Sequence, residues 1–275
     1  MGSKSVTPAN WLEVNRTNWD ARVPVHAKSK VYDIPAFVAG ADTLRDYEPD
    51  EVGDVRGKTL LHLQCHLGLD TLSWARRGAT VTGLDFSQPA LDVAVSVAAR
   101  IGVESARFVL ADVYDAVTVL AGKTFDLVYV SIGSLQFLPD IGRWAQVVAA
   151  LVVPGGFCYL TEPHPLVKLI DDAGTTLTLS GGYFTQDAIM LDEGTYGDPE
   201  AELEATASVE WLHHTAEVVS ALGAAGMCVE FLHEHDWIWY PIFPGLTRRN
   251  DGRWRFPEGQ PSIPLLYSLR AAKHR

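Results

Sequence analysis

The stretch "LLHLQCHLGLDTLSWA", residues 60–75, decides how this chain is read. It follows a Gly-Lys pair, runs as a strand through its leucines, turns once at Gly68 and continues with the spacing of a helix. In doubly wound α/β proteins the first such turn approaches a bound nucleotide with its backbone. Here His62, Gln64 and His66 stand where nucleotide-binding loops place an acid or glycines. Two readings are open: a cofactor loop with altered chemistry, or a core strand that holds two histidines.

Working outward, "KTLLHLQ", "ATVTGLD", "ARFVLAD", "FDLVYVSIG" and "GFCYLTE" are short strands separated by helical stretches. Ser87 precedes Gln88 and Pro89, which suits an N-cap with proline in the first turn, and Leu91, Val95 and Ala98 follow at helical spacing. Trp144, Val147, Val148 and Leu151 form a second apolar face that Pro154, Gly155 and Gly156 end, and a third runs from Val218 to a C′ glycine at Gly226. Strands that are apolar almost throughout, alternating with helices, predict an α/β fold with a Rossmann-like, doubly wound parallel sheet. Residues 1–50 read as a lead segment that covers part of the site, with short helices at 10–20 and 35–46. Residues 51–275 form the main domain. Within it, 163–210 is too long for an ordinary connection and is read as an inserted cap, with strands in "GGYFTQDAIML" and "ATASVEW". A second departure, 237–262, is rich in Trp and Pro and precedes a last strand, "IPLLYSLRAAK".

Composition narrows the function classes. A net charge of −12 repels phosphate backbones and anionic lipid, so nucleic acid and membrane surfaces are excluded as partners. Cys65, Cys158 and Cys228 lie far apart in apolar runs, which gives neither a disulfide framework nor a zinc site and predicts buried thiols. The opening "MGSKSVTPANWLEVN" lacks the apolar run of a signal peptide and no later segment has the length of a membrane span, so the chain is expected in the cytoplasm. No dimerisation signature is visible, and the Trp-rich segments leave a homodimer open.

Four marks occur in order: Gly68 at the first turn, Asp85 ending "VTGLD", Asp112 ending "FVLAD", and "LVVPGGF" entering the fifth strand. Asp85 alone would be an ordinary helix-entry acid. Together, over about residues 45–275, the four resemble the class I S-adenosylmethionine-dependent methyltransferases. Against that family's Asp/Glu-x-Gly-x-Gly-x-Gly loop, "HLQCHLG" keeps Gly68 but has His62, Gln64 and His66 in place of the acid and two glycines. This variant loop, "EPHP" after the fifth strand and "FLHEHDW" later are similar to bacterial small-molecule methyltransferases. The resemblance implies a seven-stranded sheet with the last strand antiparallel, and S-adenosylmethionine as cofactor with S-adenosylhomocysteine as product. It also implies a cofactor site of His62, Gln64, Cys65, His66, Gly68, Asp85, Phe86, Asp112, Val113 and Ser131. Within it Gly68 and its neighbours meet the amino-acid end, Asp85 the ribose, and Asp112 with Val113 the adenine.

Methyl transfer to an oxygen, nitrogen or carbon of a small molecule needs alignment and water exclusion, with a base where the nucleophile must lose a proton. His164, in "TEPHP", is the first candidate for that role, with Trp211 and His213 at the return from the cap next. His233 and His235 share one strand face, but no third ligand is indicated by spacing, so no metal is expected. Two other readings compete: a noncatalytic ligand-binding or regulatory protein on a degenerate fold of this kind, and a nicotinamide-dependent oxidoreductase. The latter wants Gly-x-Gly-x-x-Gly, of which "HLGLDT" has only the middle glycine.

Overall fold

Seven strands share one sheet: β1 (Thr59–Leu63), β2 (Thr80–Asp85), β3 (Arg107–Leu110), β4 (Phe125–Val130), β5 (Val152–Pro163), β6 (Cys228–His235) and β7 (Leu266–Ala272). The computed structural model describes residues 8–171, 177–185 and 187–274. Spatially the strands run β3-β2-β1-β4-β5-β7-β6. β1 pairs in parallel with β2 and β4, while β7 is antiparallel to both β5 and β6. The order therefore reverses beside β1, and the crevice beyond the carboxyl ends of β1 and β4 is the place where such sheets bind ligands.

Among the described residues eight α-helices flank or cover the sheet: α1 (Trp11–His26), α2 (Ile34–Val38), α3 (Tyr47–Val52), α4 (Leu69–Arg76), α5 (Gln88–Arg100), α6 (Ala116–Val119), α7 (Ile141–Leu151) and α8 (Thr215–Ala224). Leu60, Leu61 and Leu63 are fully buried because both faces of β1 are covered. Leu61 and Leu63 join Val128, Val130 and the apolar face of α7, while Leu60 joins Trp74, Val81, Tyr129 and Tyr159 on the opposite face. Ser87 caps α5 by accepting the Ala90 N–H, as its sequence position predicts.

Three local expectations change. The first helix continues to His26 past Pro24, which gives up the bond an N–H there would make to the Asp20 carbonyl, and the buried Arg22 and His26 hold that turn in place. The helix expected at 35–46 ends at Val38, where the chain turns through Gly40 at φ 116°, and α3 starts afresh at Tyr47. Cys228 is exposed at the start of an edge strand, whereas Cys65 and Cys158 are buried as expected. In the insertion, Ile189–Asp192 pairs antiparallel with Ala207–Glu210, and among the described residues of "GGYFTQDAIML" the strand lies at this end. Residues 1–7 of the lead segment and 172–176 and 186 of the expected cap lie outside the described residues.

Candidate functional site

The β1–α4 loop sits at the reversal point, and its backbone is left-handed at three alternate residues: Gln64 (φ 56°), His66 (φ 47°) and Gly68 (φ 71°). At Gly68 only glycine fits. A Cβ there would lie 2.7 Å from the Ala94 Cβ and 2.8 Å from the Phe108 ring. Gln64 and His66 hold the same backbone region at a cost of about 1–2 kcal/mol each, which bonds leaving the loop offset. The Gln64 Nε2 donates to the Ser134 carbonyl at 3.0 Å, and the His66 N–H donates to Asp85 Oδ2 at 2.8 Å. The Gln64 Oε1 is buried and has no hydrogen-bond partner among the described residues. An orphaned buried acceptor at a loop of this kind marks a place for a donor from outside the chain.

His62 belongs to the strand rather than to the open side of the loop. It is 1 % exposed, its Nδ1 shares a 2.7 Å hydrogen bond with Thr71 Oγ1 and its Nε2 a 2.8 Å bond with Ser131 Oγ. Burial pushes its pKa down to about 4, so it is neutral and ties β1 to α4 and to the turn after β4. Cys65 is buried, and its carbonyl accepts the Gly68 N–H.

The ends of the next strands supply carboxylates. Asp85 accepts from His66 and Ser87 backbone N–H groups at 2.8 and 2.9 Å, and burial pushes its pKa up to about 6 against the pull of those bonds. Phe86 beside it is half-buried. Asp112 accepts the Tyr114 N–H at 2.7 Å, is raised by burial, and precedes the buried Val113. After β4, the turn from Ser131 is held by one carboxylate: Glu162 on β5 accepts the N–H groups of Gly133, Ser134 and Leu135 at 2.7, 2.8 and 3.0 Å. Burial lifts Glu162 to about 7.

A roof that the sequence did not announce lies over these loops. Helix α1 and the insertion, nearly two hundred residues apart along the chain, are joined by a row of side-chain bonds. Asn15 both donates to the Val209 carbonyl (2.9 Å) and accepts its N–H (2.7 Å); Asn18 reaches the Ala205 carbonyl, and Arg22 that of Gly194. Beneath, the Trp19 ring lies edge-on to His66 and Phe137 at 5.0 and 5.3 Å, and Asp20 accepts from the Ser87 hydroxyl at 2.5 Å. Trp11 meets Tyr114 and Trp211. The helix thus passes over the loops that follow all of the first four strands.

Of the three residues expected at the chemistry, Trp211 meets this roof through Trp11, while His164 and His213 are bonded elsewhere. His164 is 4 % exposed; its Nδ1 accepts the Leu166 N–H at 3.2 Å, which leaves the proton on Nε2 for Glu234 at 3.0 Å. His213 Nε2 donates to the Leu138 carbonyl at 2.7 Å, with Glu217 3.2 Å from Nδ1. Trp211 is buried, and its backbone N–H donates to the Gln136 carbonyl at 2.7 Å. None of them hydrogen-bonds to residues 62–68 or to Asp85. His233 and His235 do share a face, turned toward Glu51 and Tyr47, and among the described residues no group of three or more His, Cys, Asp or Glu is arranged to hold a metal.

Residues 60–156 match the family described as "Methyltransferase domain". That stretch runs from β1 into β5 and includes the β1–α4 loop, Asp85 and Asp112. The chain is 37 % identical over 116 residues to a ubiquinone biosynthesis O-methyltransferase of Alkalilimnicola ehrlichii, covering 40 % of this chain and 44 % of that protein. A protein of the same description from Aeromonas salmonicida is 31 % identical over 125 residues, 42 % of this chain and 48 % of its own length. The chain thus spans about half the length of the curated relatives it matches. Among solved structures, an S-adenosylmethionine dependent methyltransferase from Mesorhizobium loti superposes with a TM-score of 0.57 at 19 % identity, over 90 % of this chain and 99 % of the other. The Burkholderia thailandensis 1,6-didemethyltoxoflavin-N1-methyltransferase, solved with 1,6-didemethyltoxoflavin and S-adenosylhomocysteine bound, has a TM-score of 0.55 at 16 % identity over all of this chain and 94 % of the other. The chain thus has the fold of these proteins. No helix among the described residues is long and apolar enough to cross a membrane.

Proposed function

We propose that this chain transfers a methyl group from S-adenosylmethionine to an oxygen, nitrogen or carbon of a small molecule in the cytoplasm, an oxygen being favoured by the O-methyltransferase names of its relatives. The observation that carries the reading is the buried, unpartnered Gln64 Oε1 in the β1–α4 loop, with carboxylates at the ends of the two neighbouring strands.

The residues present fit the cofactor. Gln64 Oε1 supplies an acceptor for its α-ammonium, the Asp85 oxygens retain lone pairs for ribose hydroxyls beyond their two N–H bonds, and Asp112 with Val113 stands at the adenine end. His62, Cys65 and Gly68 keep the loop in shape, and Ser131 and Phe86 border it. When bound, the cofactor supplies a methyl group already activated by a sulfonium. The chain's own work is then to align the acceptor and exclude water, for which Trp19 and Phe137 under the roof are suited. His164, Trp211 and His213 hold the exits of β5 and of the insertion to their neighbours, so the proposal places no proton transfer on them.

Calorimetric titration of the purified protein with S-adenosylmethionine, S-adenosylhomocysteine and NAD tests the reading. Binding of the first two and not of NAD is expected. A protein that takes up neither sulfur ligand, or that prefers NAD, is not a methyltransferase of this kind.

A further inference from the structure

Left-handed backbone at a residue other than glycine persists only where the surroundings fix it. Gln64 is fixed within the domain, through Ser134. His66 is fixed twice: its N–H by Asp85, and its ring by the roof, where Nε2 lies 2.8 Å from the His26 Nδ1. His26 is wholly buried at the last turn of α1 and its other nitrogen shares a 2.5 Å hydrogen bond with Thr195 Oγ1 of the insertion. Trp19, Tyr32 and Tyr196 pack against these two rings. Burial lowers His26 to about 3 and His66 well below the ordinary histidine value, so both rings are neutral at pH 7 and each has one N–H to pass along the chain of bonds. Glycine at position 66 would adopt this backbone without strain, with or without a roof above it. His66 holds it with the help of a ring on the roof.

Building on the reading that the β1–α4 loop takes the amino-acid half of S-adenosylmethionine, we propose that His26 and Thr195 are positioning residues for that half. Closing α1 and the insertion sets the turn at His66, and the turn so set receives the methionine end. The adenosyl half meets Asp112 and Asp85, and Asp85 keeps its Ser87 N–H bond when the His26–His66 bond is lost, so that half depends far less on His26 and Thr195.

Two ligands separate the halves: S-adenosylhomocysteine has both, and 5′-methylthioadenosine lacks the amino-acid group. In His26→Phe, which keeps a ring but no hydrogen bond, the dissociation constant of S-adenosylhomocysteine should rise about tenfold, the scale of one lost hydrogen bond in a buried site. That of 5′-methylthioadenosine should stay within about twofold. Dissociation of S-adenosylhomocysteine should quicken in stopped-flow measurements. Thr195→Val, of nearly the same size, should move both readings the same way by less, and it decides the matter if His26→Phe does not fold. Equal weakening of both ligands, or no change in either, overturns the positioning role while leaving the cofactor reading intact. If the unmodified protein binds neither ligand, the cofactor reading itself fails and this proposal with it.

Discussion

At the exit of β5, His164 has a protein partner on each ring nitrogen, and the nearby His213 stands between Leu138 and Glu217. In the β1–α4 loop, among the described residues, Gln64 keeps a buried acceptor with no partner and His66 has a ring bond on one nitrogen. Both regions lie at the carboxyl edge of the same sheet. What separates them is whether hydrogen-bonding capacity is spent inside the chain or left over. Spent capacity holds a fold together, and capacity left over in a buried place is where a ligand contributes binding energy.

The largest effect is expected at Asp85, which serves both ends of this contrast. Asp85→Ala strips an acceptor from the His66 and Ser87 N–H groups and should cost about 2–4 kcal/mol of stability, with a further loss of about 1–3 kcal/mol in S-adenosylmethionine binding. Denaturation and calorimetry read the two separately. Unchanged affinity would remove Asp85 from the ribose role.

Next in size is a pH effect at His62, whose folded pKa lies near 4 because of burial. A depressed base contributes stability that is present above its unfolded value of about 6.5 and is lost as pH falls through its folded value. Stability should therefore decline between pH 6.5 and 4 by up to about 3 kcal/mol on account of this ring. In His62→Gln that share of the slope should vanish from denaturant midpoints taken across the window. Identical slopes in the two proteins would place the His62 ring in a wetter setting than its burial implies.

Gln64→Leu removes the leftover acceptor and tests the contrast most directly. S-adenosylmethionine affinity should fall by about tenfold while the melting temperature changes little, since the one internal bond lost is that to the Ser134 carbonyl. A large drop in stability with unchanged affinity would move Gln64 to the structural side. The smallest effect on the ligand is expected from His164→Gln: about 1 kcal/mol of stability through the Glu234 and Leu166 bonds, and a cofactor affinity unaltered within error. A methyl-transfer rate that collapses in this variant while affinity holds would return His164 to the chemistry.

The sequence by itself determined the sheet, its order of strands and helices, and the positions of Gly68, Asp85 and Asp112, because these rest on short-range signals. Apolar runs, caps and glycine turns act over a few residues and leave a readable period. The cap boundaries and the short lead helices were less legible, since their ends depend on what packs against them. The roles of the histidines were decided only in three dimensions. His62 and His66 are four residues apart, and nothing local says that one is sealed between β1 and α4 while the other faces a roof. The roof was equally silent. Asn15, Asn18, Arg22 and His26 recur at helical spacing along α1, and a polar stripe of that kind ordinarily faces water. Here it is buried, because the insertion offers carbonyls and a hydroxyl at matching heights. A sequence records which groups can form hydrogen bonds, and only the tertiary structure decides which partner, nearly two hundred residues away, completes them.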